Sequence, residues 1–108
     1  MRLRNAVLAA ASAIALVVAV PVSANAAQGE FRYKVAPGYT SGLFNPPSGE
    51  CLDIPEATQE QPAYAPENLT RSTATVYLDF GCEGDTYYVM NPGRKLGDRL
   101  KLRSVVFS

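Results

Sequence analysis

Apolar residues follow two different patterns along this chain. From Ala6 to Val20 they run continuously, broken only by Ser12, and a short basic start, Met1-Arg2-Leu3-Arg4-Asn5, precedes them. Pro21 then interrupts the run, and Ala24-Asn25-Ala26 supplies the small-x-small pattern that a signal peptidase accepts. Residues 1–26 are expected to be an export signal cleaved after Ala26. A membrane anchor would need about 18 to 20 apolar residues, and this run falls short of that.

Beyond Ala26 the apolar positions come in short β-branched or aromatic stretches separated by Gly, Pro, Asn and Asp, and no helical period is sustained. Phe31-Arg32-Tyr33-Lys34-Val35 alternates apolar and basic residues, which predicts a half-buried strand ended by Pro37-Gly38. Residues 37–50 read as loop with room for one short strand around Leu43-Phe44. Cys51-Leu52-Asp53-Ile54 alternates again. From Pro55 to Asn68 the chain carries Pro62 and Pro66 with Glu56, Glu60 and Glu67, and a long surface loop is expected. Thr73 to Phe80 is the clearest strand, with Val76, Leu78 and Phe80 on one face. Gly81 to Asp85 reads as an acidic turn, Tyr87 to Met90 as a strand and Asn91-Pro92-Gly93 as a turn. Leu100 to Phe107 closes the chain as one strand. The expectation is an all-β fold in a single domain, residues 27–108.

Charge and cysteine content narrow the picture. Loss of Arg2 and Arg4 with the signal leaves eight basic against ten acidic side chains. A mildly acidic domain has no general affinity for nucleic acid or anionic membrane, which reward excess Lys and Arg. A domain this small buries only about 60 to 65% of its unfolded surface, so a covalent brace helps it. Cys51 and Cys82 are the only cysteines. In an oxidising compartment the simplest reading is a disulfide, worth about 3 to 4 kcal/mol for a loop of about thirty residues. Free thiols and an intermolecular bond are the alternatives.

The last third, with Tyr77, Cys82 and Gly84, then Pro92 and Gly93, then Ser104, Val105 and Phe107, resembles a Greek-key motif of the βγ-crystallin superfamily. It is most similar to small secreted actinobacterial members that include metallopeptidase inhibitors. The resemblance covers residues 73–108; no clean second copy is legible before them, although Leu43-Phe44-Asn45 and Gly49-Glu50-Cys51 fit a degenerate one. It implies a small Greek-key β-sandwich and a secreted protein that works by binding, with an extracellular peptidase as the leading partner. A structural or stress-related protein and a killer-toxin-like member of the superfamily are the alternatives. Calcium is the usual ligand of the superfamily. Here Arg99-Leu100-Lys101-Leu102-Arg103-Ser104 puts basic and apolar side chains where oxygen ligands would stand, so no metal and no cofactor is expected.

Catalysis has little to stand on. The chain has no histidine, which removes the commonest general base. Glu83 and Asp85 could form a carboxylate pair, and with Asp79 an adventitious calcium site, but a solvated turn accounts for them. Arg94, Lys95, Arg99, Lys101 and Arg103 form a basic cluster that reads either as a docking face or as side chains pointing to solvent. Asn68-Leu69-Thr70 matches a glycosylation acceptor, read here as a chance match. The candidate binding loop is Pro62, Tyr64 and Pro66, where two prolines could stiffen an extended segment and hold the tyrosine ring out. The plainer reading folds Tyr64 back onto the sheet.

Overall fold

A computed structural model describes residues 26–108, so the export signal lies, but for its last residue, outside the described residues. The strands are β1 (Gly29–Val35), β2 (Tyr39–Phe44), β3 (Cys51–Asp53), β4 (Ala63–Thr70), β5 (Ala74–Tyr77), β6 (Tyr87–Met90), β7 (Lys101–Leu102) and β8 (Ser104–Phe107), with a 3-10 turn at Phe80–Cys82 between β5 and β6. They form two antiparallel four-stranded sheets, ordered β2-β1-β4-β7 and β3-β8-β5-β6. The all-β expectation holds, with one domain-bracing disulfide. Each half of the chain keeps three strands in one sheet and lends its third to the other: β3 leaves the first half for the second sheet, and β7 leaves the second half for the first. This exchange ties the two halves into one unit.

The core lies between the sheets. Alternation along β1 sends Phe31 and Tyr33 inward and Glu30, Arg32 and Lys34 outward, as the sequence pattern requires. From the facing sheet come Ala74, Val76, Met90, Val105 and Phe107, all fully buried. Phe31 meets Phe107 edge to face, ring centroids 5.4 Å apart, the geometry aromatic quadrupoles prefer. Leu78 and Phe80, expected beside Val76, lie beyond the end of β5 and are only partly buried.

Two segments depart from the sequence reading. Residues 55–68 are not all surface loop, because from Ala63 onward the chain is β4, lying between β1 and β7. Pro66 hides this strand in the sequence: a residue without an N–H is normally excluded from a sheet interior. The sheet accommodates it at an irregularity. Ala65 takes a positive φ of 53°, and the pairing of β1 with β4 shifts between Arg32 and Lys34. Around the irregularity the Ala65 N–H donates to the Leu100 carbonyl, and the Pro66 carbonyl accepts from the Leu96 N–H. The second departure is at the C-terminus, where the single strand expected over 100–107 is two. Arg103 separates β7 from β8, and the chain changes sheets there.

Candidate functional site

The outer faces of the two sheets differ in chemistry. Register places Glu30, Arg32 and Lys34 of β1, Glu67 of β4 and Lys101 of β7 on the outer face of the first sheet. On the second sheet the outward positions follow from the pairs Tyr77 with Tyr87, Thr75 with Val89 and Thr75 with Val106, since partners in a ladder share a face. That face therefore carries Thr75, Tyr77, Tyr87, Val89 and Val106, and at its β3 edge Cys51 and the charged Asp53. Tyr87 and Val89 are 52% and 56% exposed. The Tyr77 and Tyr87 rings pack against each other, centroids 5.6 Å apart. A water-facing sheet side normally carries polar side chains, and this patch departs from that pattern.

A braced corner closes one end of the patch. Cys51 of β3 is joined to Cys82 of the 3-10 turn, Cα atoms 5.8 Å apart. The same turn is held by three more ties. The Gly81 N–H donates to Asp53 Oδ1 at 2.8 Å, the Cys82 N–H donates to Ser104 Oγ at 2.9 Å, and the Ser104 hydroxyl donates to the Asp79 carbonyl. Ser104 is fully buried beneath the corner although it lies on the outward side of β8. Gly84 completes the fold-back at φ 94°, and a Cβ there would come within 2.5 Å of Asp79 Oδ2. These contacts fix the corner against the strands, so the aromatic patch is presented by rigid elements.

The residues singled out for a binding loop are distributed otherwise. Pro66 is fully buried and cannot contact a partner. Tyr64 pairs with Lys34 and Lys101 in the sheet, half-buried, and the Lys101 ammonium sits 4.9 Å from its ring centroid. Pro62 precedes the strand and is partly buried. The stiff projecting loop is therefore replaced by a strand with the tyrosine laid onto the sheet. Lys101 also donates to the Asp98 carbonyl at 2.9 Å.

Arg103, expected to point to solvent, is half-buried and donates to three carbonyls: Thr58 at 2.9 Å, Gln59 at 2.8 Å and Leu78 at 3.0 Å. It pins the segment between β3 and β4 to the end of β5, and so takes itself out of any basic docking face. Asn68 is likewise committed. Fully buried, it donates through Nδ2 to the carbonyls of Ser72 and Met90, while its Oδ1 accepts from the Thr70 N–H and hydroxyl. The glycosylation match is a structural asparagine.

A second polar anchor is Glu56, whose carboxylate accepts from the Tyr33 hydroxyl at 2.7 Å and from the Ser41 hydroxyl. Burial acts to raise its pKa, but the two hydroxyl donors outweigh it and hold the carboxyl below its ordinary value. Tyr33 moves the other way: burial first, then the bond to Glu56, push its hydroxyl above the usual tyrosine range. Tyr33 is buried and Glu56 exposed, and with Ser41 they bind β1, β2 and the loop after β3 together.

Among the depressions formed by the described residues are a cleft and a groove. The cleft of about 350 Å³ is lined by Arg32, Lys34, Glu67, Lys95 and Asp98, where charges of both signs offset one another. The groove of about 480 Å³ between β2 and β3 is lined by Leu43, Phe44, Pro46, Pro47 and Leu52. Among the described residues no three His, Cys, Asp or Glu side chains converge as metal ligands would. Glu83 and Asp85 are exposed on the turn.

The fold and surface thus define a disulfide-braced, two-sheet β protein, one outer face mixed in charge and the other richer in tyrosine and valine. No protein-family model matches the chain, no curated protein matches its sequence, and no solved structure matches its fold.

Proposed function

We propose that this chain is a secreted, non-catalytic binding domain whose working surface is the aromatic patch formed by Thr75, Tyr77, Tyr87, Val89 and Val106, and that its partner is an extracellular peptidase, which it inhibits. The observation that carries the reading is that patch. Tyrosines supply large contact area at low ordering cost, and the centre of a protein interface is depleted of charge. Here they sit on strands locked by a disulfide and a buried serine, so little freedom is lost on binding.

The choice of a peptidase rests on the resemblance of residues 73–108 to secreted βγ-crystallin-like inhibitors. The lending of β3 and β7 between the sheets supports it, since two interlocked Greek keys would exchange their third strands in this way. The surface assigned is not the Pro62–Pro66 segment, which from Ala63 onward is spent within the first sheet. Inhibition then works by covering the peptidase cleft, not by offering it a substrate-like loop.

Titration of the purified protein against a panel of secreted metallo- and serine peptidases tests the partner. One class is expected to be inhibited at a one-to-one end point of about equal molarity. Full activity of every enzyme at a large excess of the protein would overturn the peptidase as partner.

A further inference from the structure

β6 is an open edge. In the second sheet it has β5 on one side and no strand on the other. The Leu78 N–H donates to the Thr86 carbonyl at 3.0 Å, so residues 78 and 86 are a hydrogen-bonded pair of the ladder. Because such pairs alternate with non-bonded ones in an antiparallel ladder, Tyr88 and Met90 turn their main chain toward β5, whereas Tyr87 and Val89 turn theirs outward. Among the described residues, none of the turn or side-chain hydrogen bonds reaches the main chain of Tyr87 or Val89.

Natural proteins blunt such an edge with lysine, proline, a bulge or a very short strand. Two of the other edges are shorter, β7 with two residues and β3 with three, while the longer β2 is tied through Ser41 to Glu56. β6 has four residues and, like β3, a proline two positions beyond its end, Pro92, but it carries no lysine and no bulge. Its exposed residues are Tyr87, Tyr88 and Val89, at 52%, 48% and 56%.

We propose that β6 pairs antiparallel with β6 of a second copy of this chain, in a register centred on Tyr88, joining the second sheets of both into one continuous sheet. The geometry fixes this register. Centring on Tyr88 sets Tyr87 of each copy against Val89 of the other, and these are the residues whose outward N–H and C=O groups are free. Tyr88 faces its own counterpart across the twofold axis. The flanks agree, because Glu83 and Asp85 precede the strand and Arg94 follows it. An antiparallel pairing therefore brings the acidic end of one copy toward the basic end of the other. The arrangement is isologous, as a closed dimer requires. The outer faces of both copies then merge, so the Tyr87 and Val89 side chains stay exposed on a surface twice as broad; the pairing itself does not depend on what that surface binds.

Sedimentation of the purified protein over a range of concentrations tests this, together with Tyr88→Lys and Tyr88→Glu. The wild type is expected to rise toward about twice its monomer mass with concentration, as a small interface gives a concentration-dependent dimer. Each variant alone is expected to stay monomeric, because like charges then face each other across the axis. An equimolar mixture of the two is expected to regain the dimer. Should either Tyr88 variant lose its fold, Val89→Lys, which alters only an exposed side chain, is expected to shift the wild-type equilibrium toward monomer. Amide exchange at Tyr87 and Val89 is expected to slow with concentration. A wild type that stays monomeric throughout, a dimer that survives in either Tyr88 variant, or a mixture of the two that fails to associate would overturn the proposal.

Discussion

Asn68 shows how much of this fold rests on single polar side chains. It is fully buried, and its amide joins β4 to the carbonyls of Ser72 and Met90 while its carbonyl receives Thr70. Asn68→Ala would strand those partners without water, and a loss of about 2 to 4 kcal/mol is expected in a denaturant titration. A variant as stable as the wild type would show that the amide contributes nothing net. Glu56 gives a pH-dependent test. Its folded pKa lies below the ordinary value of 4.5, so its contribution to stability is complete above that value. It is lost as pH falls through 4.5 toward the lower folded value. Thermal unfolding should therefore drop across that acid range in the wild type and drop less in Glu56→Gln; parallel curves would rule the carboxylate out as the cause.

Among the elements, β1 and β6 were readable because their residues follow ordinary rules, alternation in Phe31 to Val35 and β-branched or aromatic content in Tyr87 to Met90. β4 was not, because Pro66 signals a loop locally and only its pairing with β1 and the Ala65 irregularity make a strand of it. The break at Arg103 was equally hidden: Leu100 to Phe107 has the pattern of one strand, and the change of sheet is set by carbonyls of distant segments that capture the guanidinium. The aromatic face was legible only as residue types, since membership of one face needs the register of β5 against β6 and β8. At the same scale, Ala65→Gly should be neutral or slightly stabilising in a denaturant titration, because glycine holds a φ of 53° without strain from a Cβ. A loss above about 1 kcal/mol would mean the Ala65 methyl matters more as packing. Reduction of the Cys51–Cys82 bond, which spans 31 residues, should cost about 3 to 4 kcal/mol and loosen the corner first. Amide exchange at Gly81 and Cys82 should then rise before that of β8; uniform acceleration would deny the corner a local role.

At the scale of the whole molecule, the two sheets divide the labour. The first carries mixed charge on its outer side; the second carries tyrosine and valine beside a braced corner. The interlocking of β3 and β7 makes the two sheets depend on each other, so substitutions on the outer faces can be made without removing core contacts. Tyr87→Ser and Tyr64→Ala are matched in that respect, since both rings lie outside the core, one on each sheet. The most direct measurement is the inhibition constant of these two variants against the peptidase that the wild type inhibits. Tyr87→Ser is expected to weaken inhibition by about tenfold or more while Tyr64→Ala leaves it unchanged. Equal potency of Tyr87→Ser and wild type, or a loss confined to Tyr64→Ala, would contradict the assignment of the aromatic patch as the binding surface.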